Sequence, residues 1–287
     1  MTPPSAQSIR DRLLERARER GDDFGLVLTQ YGIERILYRL SISPYAEQFV
    51  LKGAQLLRAK TEEIYRPTRD VDLLGFGENS PEALWTVFTS LVELDVQDGL
   101  VFDLARMTTE VITEAAEYQG IRVSLQATLA RARLHIQIDV GFGDQLTPAP
   151  SPIEFPTLLE MPAPALRGYA LETVVAEKLQ AITSLGLLNT RLKDYYDLWR
   201  IGATLPVRYN ELVGALVATF TARHTAIDTE PVGLSGTYGE QRERQQQWTN
   251  FLKRNMLTSA DLNSVCSTIL DCYRKALVQA ASEQDHQ

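Results

Sequence analysis

Apolar residues mark out the elements of this chain before anything else does. Val27, Leu28, Tyr31, Ile33, Ile36, Leu37 and Leu40 recur at helical spacing, which predicts a helix following a charged helix over Ser5 to Arg20. From Phe49 the texture changes to a short apolar run, Phe49-Val50-Leu51, then Lys52-Gly53-Ala54 and a helix-like Gln55 to Lys60. Asp70-Val71-Asp72-Leu73-Leu74 reads as a strand closed by Gly75 and Gly77, and Pro81 opens a helix through Leu94. Val101 to Met107, Ile121 to Leu129 and Leu134 to Phe142 read as successive strands. In the last of these, Leu134, Ile136, Ile138 and Val140 alternate with His135, Gln137 and Asp139, the period of a strand with one buried face. Beyond it the spacing is helical: Leu171 to Leu185, Lys193 to Arg200, Tyr209 to Arg223, Glu240 to Lys253 and Thr258 to Ala281.

Between the two textures lies a composition break, because six of the thirteen prolines fall between Pro148 and Pro164. A stiff, extended connector is expected there. The prediction is an α+β chain: residues 1–48 as N-terminal helices packing on a mixed domain, 49–147 as the core of that domain, 148–168 as the Pro-rich connector, and 169–287 as a helical C-terminal domain.

Composition narrows the classes. With 287 residues and 44% hydrophobic content the chain can bury a real core. Its 29 Lys and Arg against 37 Asp and Glu give a net charge of −8, which argues against coating nucleic acid through bulk charge. The five arginines of the first helix (Arg10, Arg12, Arg16, Arg18, Arg20) alternate with three acids, as a solvated face does. Cys266 and Cys272 lie six apart in one expected helix, and His135, His224 and His286 are the only histidines, so neither a disulfide nor a His/Cys metal cluster is expected. The start lacks the apolar core of a signal peptide and no run is long enough to span a membrane. A soluble, cytoplasmic protein is expected.

Candidate chemistry centres on Asp70-Val71-Asp72. Carboxylates two apart on a strand project from one face, where they repel unless a divalent cation lies between them, and hard oxygen ligands suit Mg2+ or Mn2+. Lys52-Gly53-Ala54, at a strand-to-helix junction, could receive a phosphate on its backbone N–H groups, although no Walker motif occurs. Asp139 adds a third carboxylate on a later strand. In the helix Leu171 to Leu185, Lys178 falls amid the apolar stripe formed by Leu171, Val174, Val175, Ile182 and Leu185. A lysine there costs desolvation unless it snorkels or meets an anion, such as a triphosphate or an aspartate. Asp194 and Asp197 follow, three apart on one helix face, with Arg191 and Lys193 beside them. Asp197 with Lys178 would form a buried pair, or a base poised beside a cation that could take an acceptor proton. Tyr195, Tyr196 and Trp199 could stack a base or simply pack.

Four segments together resemble the AbiEii/AbiGii toxin family of nucleotidyltransferases, in the DNA polymerase β-like superfamily. They are Phe49-Val50-Leu51-Lys52-Gly53-Ala54, Arg66-Pro67-Thr68-Arg69-Asp70-Val71-Asp72-Leu73-Leu74-Gly75, Glu172-Thr173-Val174-Val175-Ala176-Glu177-Lys178, and Asn189-Thr190-Arg191-Leu192-Lys193-Asp194-Tyr195-Tyr196-Asp197-Leu198. The resemblance implies a polymerase-β-like nucleotidyltransferase core over 49–147 that uses an NTP and Mg2+ (or Mn2+). Gly53 matches the phosphate turn, Asp70 and Asp72 the metal-binding pair, Lys178 the lysine that contacts the nucleotide phosphates, and Asp197 the aspartate of the last motif. Asp139 is similar to the superfamily's third metal carboxylate. Lys52, Gly53, Ala54, Arg69 and Arg191 complete the implied nucleotide-binding set. One departure stands out: where many members carry Gly-Gly-Ser/Thr, this chain has Gly53-Ala54-Gln55.

Mycobacterial members, the MenT toxins, transfer pyrimidine nucleotides to the 3′ end of tRNA, and family members are encoded beside an antitoxin. The resemblance therefore implies tRNA and a cognate antitoxin as partners, with Arg191, Lys193, Arg242, Arg244, Lys253 and Arg254 as candidates for a local basic track. A metal-dependent nuclease, a transferase acting on protein, and a non-catalytic nucleotide sensor are the alternatives that the same residues leave open.

Overall fold

The computed structural model describes residues 4–61, 66–114, 118–144 and 146–286. The chain divides into two compact units, Met1–Gly143 with Ser151–Gly168, and Asp144–Pro150 with Tyr169–Gln287.

In the first unit, helix α1 (Ala6–Arg20) starts where the Ser5 hydroxyl accepts from the Ser8 N–H and stops at Gly21, whose φ of 71° suits a left-handed cap. Helix α2 (Phe24–Ser41) is capped by the Asp23 carboxylate on the Leu26 N–H. There follow β1 (Phe49–Lys52), α3 (Gly53–Lys60), β2 (Asp70–Gly75), α4 (Pro81–Val92), β3 (Leu100–Phe102), β4 (Thr108–Glu114), β5 (Tyr118–Leu129), β6 (Ala132–Phe142), β7 (Ser151–Glu154) and β8 (Ala165–Gly168). The expected strand Val101 to Met107 is cut short. Beyond Phe102 the Asp103 carboxylate accepts from the Ala105 N–H and turns the chain into a single 3-10 turn before β4.

These strands form one eight-stranded mixed sheet in the order β3-β5-β6-β2-β1-β8-β7, with β4 also paired to β5. β1 runs antiparallel to β2, whereas β2 and β6 run parallel. The proline-rich stretch contributes to this sheet: β7 and β8 pair antiparallel, and β8 joins β1 in parallel. Pro152 can sit in β7 because that strand is at the sheet edge, where a missing N–H costs no ladder bond.

The alternation read from the sequence of β6 decides which face is buried. Leu134, Ile136, Ile138 and Val140 are buried, as are Val71 and Leu73 of β2 and Ile121, Val123 and Leu125 of β5. Helix α2 packs on β6 from this side. It comes so close that a Cβ on Gly32 would lie 2.4 Å from Leu134 Cδ1 and 2.8 Å from Ile136 Cδ1. The polar positions of the same strands are thereby turned to the opposite face, which carries the carboxylates.

The second unit is helical: α5 (Leu171–Leu185), α6 (Leu192–Thr204), α7 (Tyr209–Ala222), the single turn α8 (Gly236–Gly239), α9 (Arg242–Arg254) and α10 (Leu262–Gln284). Helix α7 packs on both α5 and α10, and α6 packs on α10. No helix among the described residues is long and apolar enough to cross a membrane.

The α2–β6 approach makes Gly32→Val an overpacking change, expected to cost about 1–3 kcal/mol. A urea unfolding curve checks it, and an unchanged midpoint would mean that α2 is not pinned against β6.

Candidate active site

Strand β2 presents Asp70 and Asp72 from the face opposite Val71 and Leu73. Its neighbours set what surrounds them. Lys52 of β1 is in register with Asp72, Asp72 with Asp139 of β6, and Asp139 with Arg122 of β5. One row across four adjacent strands thus reads Lys52, Asp72, Asp139, Arg122, with two carboxylates in the middle and a cation at each end. Neighbouring strands are about 4.8 Å apart, so the central pair would repel strongly without the flanking charges.

Arg122 grips Asp139 side-on, Nε donating to Oδ1 at 2.8 Å and Nη2 to Oδ2 at 2.8 Å. This is the fork geometry that makes arginine–carboxylate pairs strong. Gln137, in register with Asp70, turns its amide oxygen to the same guanidinium and accepts from Nε at 3.1 Å and Nη2 at 3.2 Å. Hydrogen bonding to Asp139 raises the Arg122 pKa, and the charges of Asp139, Glu110 and Asp70 add to the rise.

Gly53 opens α3 directly against Asp72. Its φ is +67°, and a Cβ there would lie 1.9 Å from Asp72 Oδ2. Only glycine allows both the left-handed backbone and this approach. The Lys52 head passes close over Gly141, where a Cβ would lie 3.2 Å from its Nζ. Ala54 and Gln55 are buried. The Gln55 amide nitrogen donates to the Asp70 carbonyl at 3.3 Å, tying the start of α3 to the start of β2, while its Oε1 has no hydrogen-bond partner among the described residues.

Paired carboxylates with hard oxygens, a glycine cradle and an adjoining lysine fit a divalent cation completed by substrate phosphates. Among the described residues no group of three or more His, Cys, Asp or Glu is placed to hold a metal ion; Asp70 and Asp72 are the two residues of this face that could ligate one. Asp139 stands beside Asp72 with both oxygens engaged by Arg122.

The second unit holds a buried ionic cluster. Lys178 of α5 reaches α6, its Nζ 2.6 Å from Asp194 Oδ1 and 2.9 Å from Asp197 Oδ2. Arg191 Nε donates to the other Asp194 oxygen at 2.7 Å. Both aspartates are wholly buried. Burial pushes the Asp194 carboxyl up, but Lys178 and Arg191 outweigh it and hold the pKa at about 2. The lysine amid an apolar stripe is thus met by two carboxylates one helix away.

Arg69 lies 3.5 Å from Asp23, and both are largely exposed. Tyr195 and Tyr196 are buried, Tyr195 stacking on Tyr238 at 5.1 Å and Tyr196 packing among Trp199, Trp248 and Phe251. These rings belong to the core. Arg244 donates to the Leu187 carbonyl at 3.0 Å and lies over Tyr238. The cysteines are free, Cys266 buried and Cys272 exposed. Sequence reasoning missed Arg122, Gln137 and Gly141. Only the polar phase of β5 and β6 signals the first two, and the strand order is needed to join them.

The chain matches the family described as nucleotidyl transferase AbiEii toxin, type IV toxin–antitoxin system, over residues 35–275. That span covers most of the chain and takes in the carboxylate row, the glycine turn and the Lys178 cluster alike. The protein belongs to the AbiEii family. It is therefore a nucleotidyltransferase of the toxin–antitoxin class, a membership that implies an NTP substrate and a cognate antitoxin. Two solved structures from Helicobacter pylori are similar. JHP933 is 14% identical, with a TM-score of 0.46 over 88% of this chain and 91% of its own. A second, described as a candidate nucleotidyltransferase, is 13% identical, with a TM-score of 0.44 over 88% and 92%. No curated protein matches the chain.

The buried cluster carries a stability consequence with a defined sign. The Asp194 carboxyl sits at about 2 in the folded chain against an ordinary 3.8. Its contribution is complete above the ordinary value and is lost as pH falls through the folded one. Asp194→Asn should therefore flatten the fall in stability on acidification across that window, read by thermal unfolding at stepped pH. Lys178→Met leaves buried carboxylates without their cation and should cost about 3–5 kcal/mol at neutral pH. A cost under about 1 kcal/mol, typical of an exposed pair, would refute the buried-cluster account.

Proposed function

We propose that this AbiEii protein transfers a nucleoside monophosphate from an NTP to the 3′ end of tRNA in the cytoplasm. The observation that carries the reading is the approach of the Gly53 turn to the Asp72 carboxylate, with Asp70 on the same face of the strand. The resemblance to the mycobacterial toxins supports a pyrimidine nucleotide and the tRNA acceptor.

Asp70 and Asp72 would hold a divalent cation, Mg2+ or Mn2+, which when bound would supply charge neutralisation for the triphosphate and lower the pKa of the acceptor hydroxyl. The first N–H groups of α3, from Gly53 and Ala54, lack intrahelical partners and receive phosphate oxygens, with Lys52 adding charge. The acceptor oxygen bonds to the α-phosphorus as the bond from that phosphorus to its bridging oxygen breaks. Pyrophosphate leaves with the electron pair, and the hydroxyl proton passes to water. Lys178 is the lysine that the family resemblance assigns to nucleotide phosphates, as a source of electrostatic stabilisation. Asp197, buried against Lys178 at 2.9 Å, acts as a positioning residue that fixes the ammonium rather than as a base. Arg191 and Arg69 serve as further cations for the nucleotide or the RNA.

The test incubates purified protein with bulk tRNA, Mg2+ and each α-32P-labelled NTP in turn. Label should appear on tRNA with a pyrimidine NTP and fall by roughly 10²–10³-fold in Asp72→Asn, the scale of losing one main electrostatic stabiliser. Gly53→Ala, which drives a methyl into Asp72, should lose a comparable factor. Label on protein would replace the tRNA acceptor with a protein one. RNA shortened without any NTP would replace the transferase with a nuclease.

A further inference from the structure

The face bearing Asp70 and Asp72 holds a cation of its own. Arg122 occupies both oxygens of Asp139, and Gln137 buttresses the same guanidinium from the position in register with Asp70. Asp139 is the carboxylate nearest to Asp72 across the β2–β6 ladder and is mostly buried. An additional divalent ion between Asp72 and Asp139 would have to share Asp139 oxygens with a guanidinium 2.8 Å away. Magnesium-sized cations demand close, near-octahedral oxygen ligands at about 2.0–2.1 Å. A doubly charged ion at that distance and a guanidinium on the same oxygens repel each other. Among the described residues no three-carboxylate group is disposed to hold a metal, in keeping with an Asp139 that is already taken.

We propose that Arg122 is a positioning residue that withholds Asp139 from the metal and so limits the site to one divalent cation, standing itself as the second positive charge. The inference rests on the reading of Asp70 and Asp72 as metal ligands and adds to it the number of ions and the residue that sets it. Arg122 is suited to the task because its planar fork fixes both carboxylate oxygens at once, which a lysine at the same position could not do.

The stoichiometry of Mn2+ binding, followed by the loss of the free-ion electron paramagnetic resonance signal on titrating the full chain, tests this without any turnover. Wild type should bind one Mn2+ per chain, and Arg122→Gln should bind two. Asp139→Asn should still bind one, because Asp139 is not a ligand while Arg122 holds it. The double variant Arg122→Gln with Asp139→Asn should return to one. Two ions in the wild type, one ion in a folded Arg122→Gln, or loss of the ion in Asp139→Asn would each overturn the proposal. Asp139→Asn keeps it testable if Arg122→Gln does not fold. No ion bound by wild type would remove the metal reading of Asp70 and Asp72, and this inference with it. Two ions in wild type would leave that reading standing and remove this inference alone.

Discussion

Two carboxylates on adjacent parallel strands are an unstable arrangement unless something positive stands beside them. Here Asp72 and Asp139 lie side by side, and the sheet supplies Lys52 on one flank and Arg122 on the other. Much of the first unit serves this row. The antiparallel β1–β2 and β5–β6 pairings bring in the two cations, and the parallel β2–β6 pairing brings the acids together. The glycines at 53 and 141 clear the space that the Asp72 carboxylate and the lysine head occupy. Helix α2, pressed on the reverse face through Gly32, holds the strands in the one phase that sends every charge to the same side.

The second unit solves a similar problem by burial. Lys178, Asp194, Asp197 and Arg191 share a cluster in which each charge has an opposite partner within 3 Å. Such clusters are weak contributors to net stability but costly to break, because deleting one member strands the others in a low dielectric. The first site is open enough for a ligand to compete, and Asp70 is exposed. In the second the two carboxylates are wholly buried while Arg191 is partly exposed.

Much of this was legible in the residues. The alternation over Leu134 to Val140 identified the buried face of β6 and hence the outward course of Asp139, and Asp70-Val71-Asp72 announced a same-face pair on its own. The stripe around Lys178 flagged a lysine that needed an anion, and the aspartates three apart on α6 supplied it. Arg122 was invisible because its partner is seventeen residues away across a hairpin, and cross-strand neighbours follow from register, which one strand does not encode. The prolines around Pro152 spoke for an extended connector. Extended they are, but an edge strand tolerates proline where a central one would not, so composition could not reveal that β7 and β8 belong to the sheet. Asp103 shortened an expected strand for a local reason, the pull of its carboxylate on a nearby N–H.

The turn at Gly53 has a consequence for recognition. Gly53 has no side chain, Ala54 is buried, and the Gln55 amide is folded inward onto the Asp70 carbonyl. None of the three therefore offers a hydroxyl or amide to an arriving anion; main-chain N–H groups and the Lys52 ammonium are what they and their neighbour present. Main-chain donors are the same in every protein and answer to negative charge and close approach, not to the identity of a sugar or a base. A phosphate held by this turn would be gripped indiscriminately, and the ability to tell one nucleotide from another would then have to be encoded by side chains beyond it.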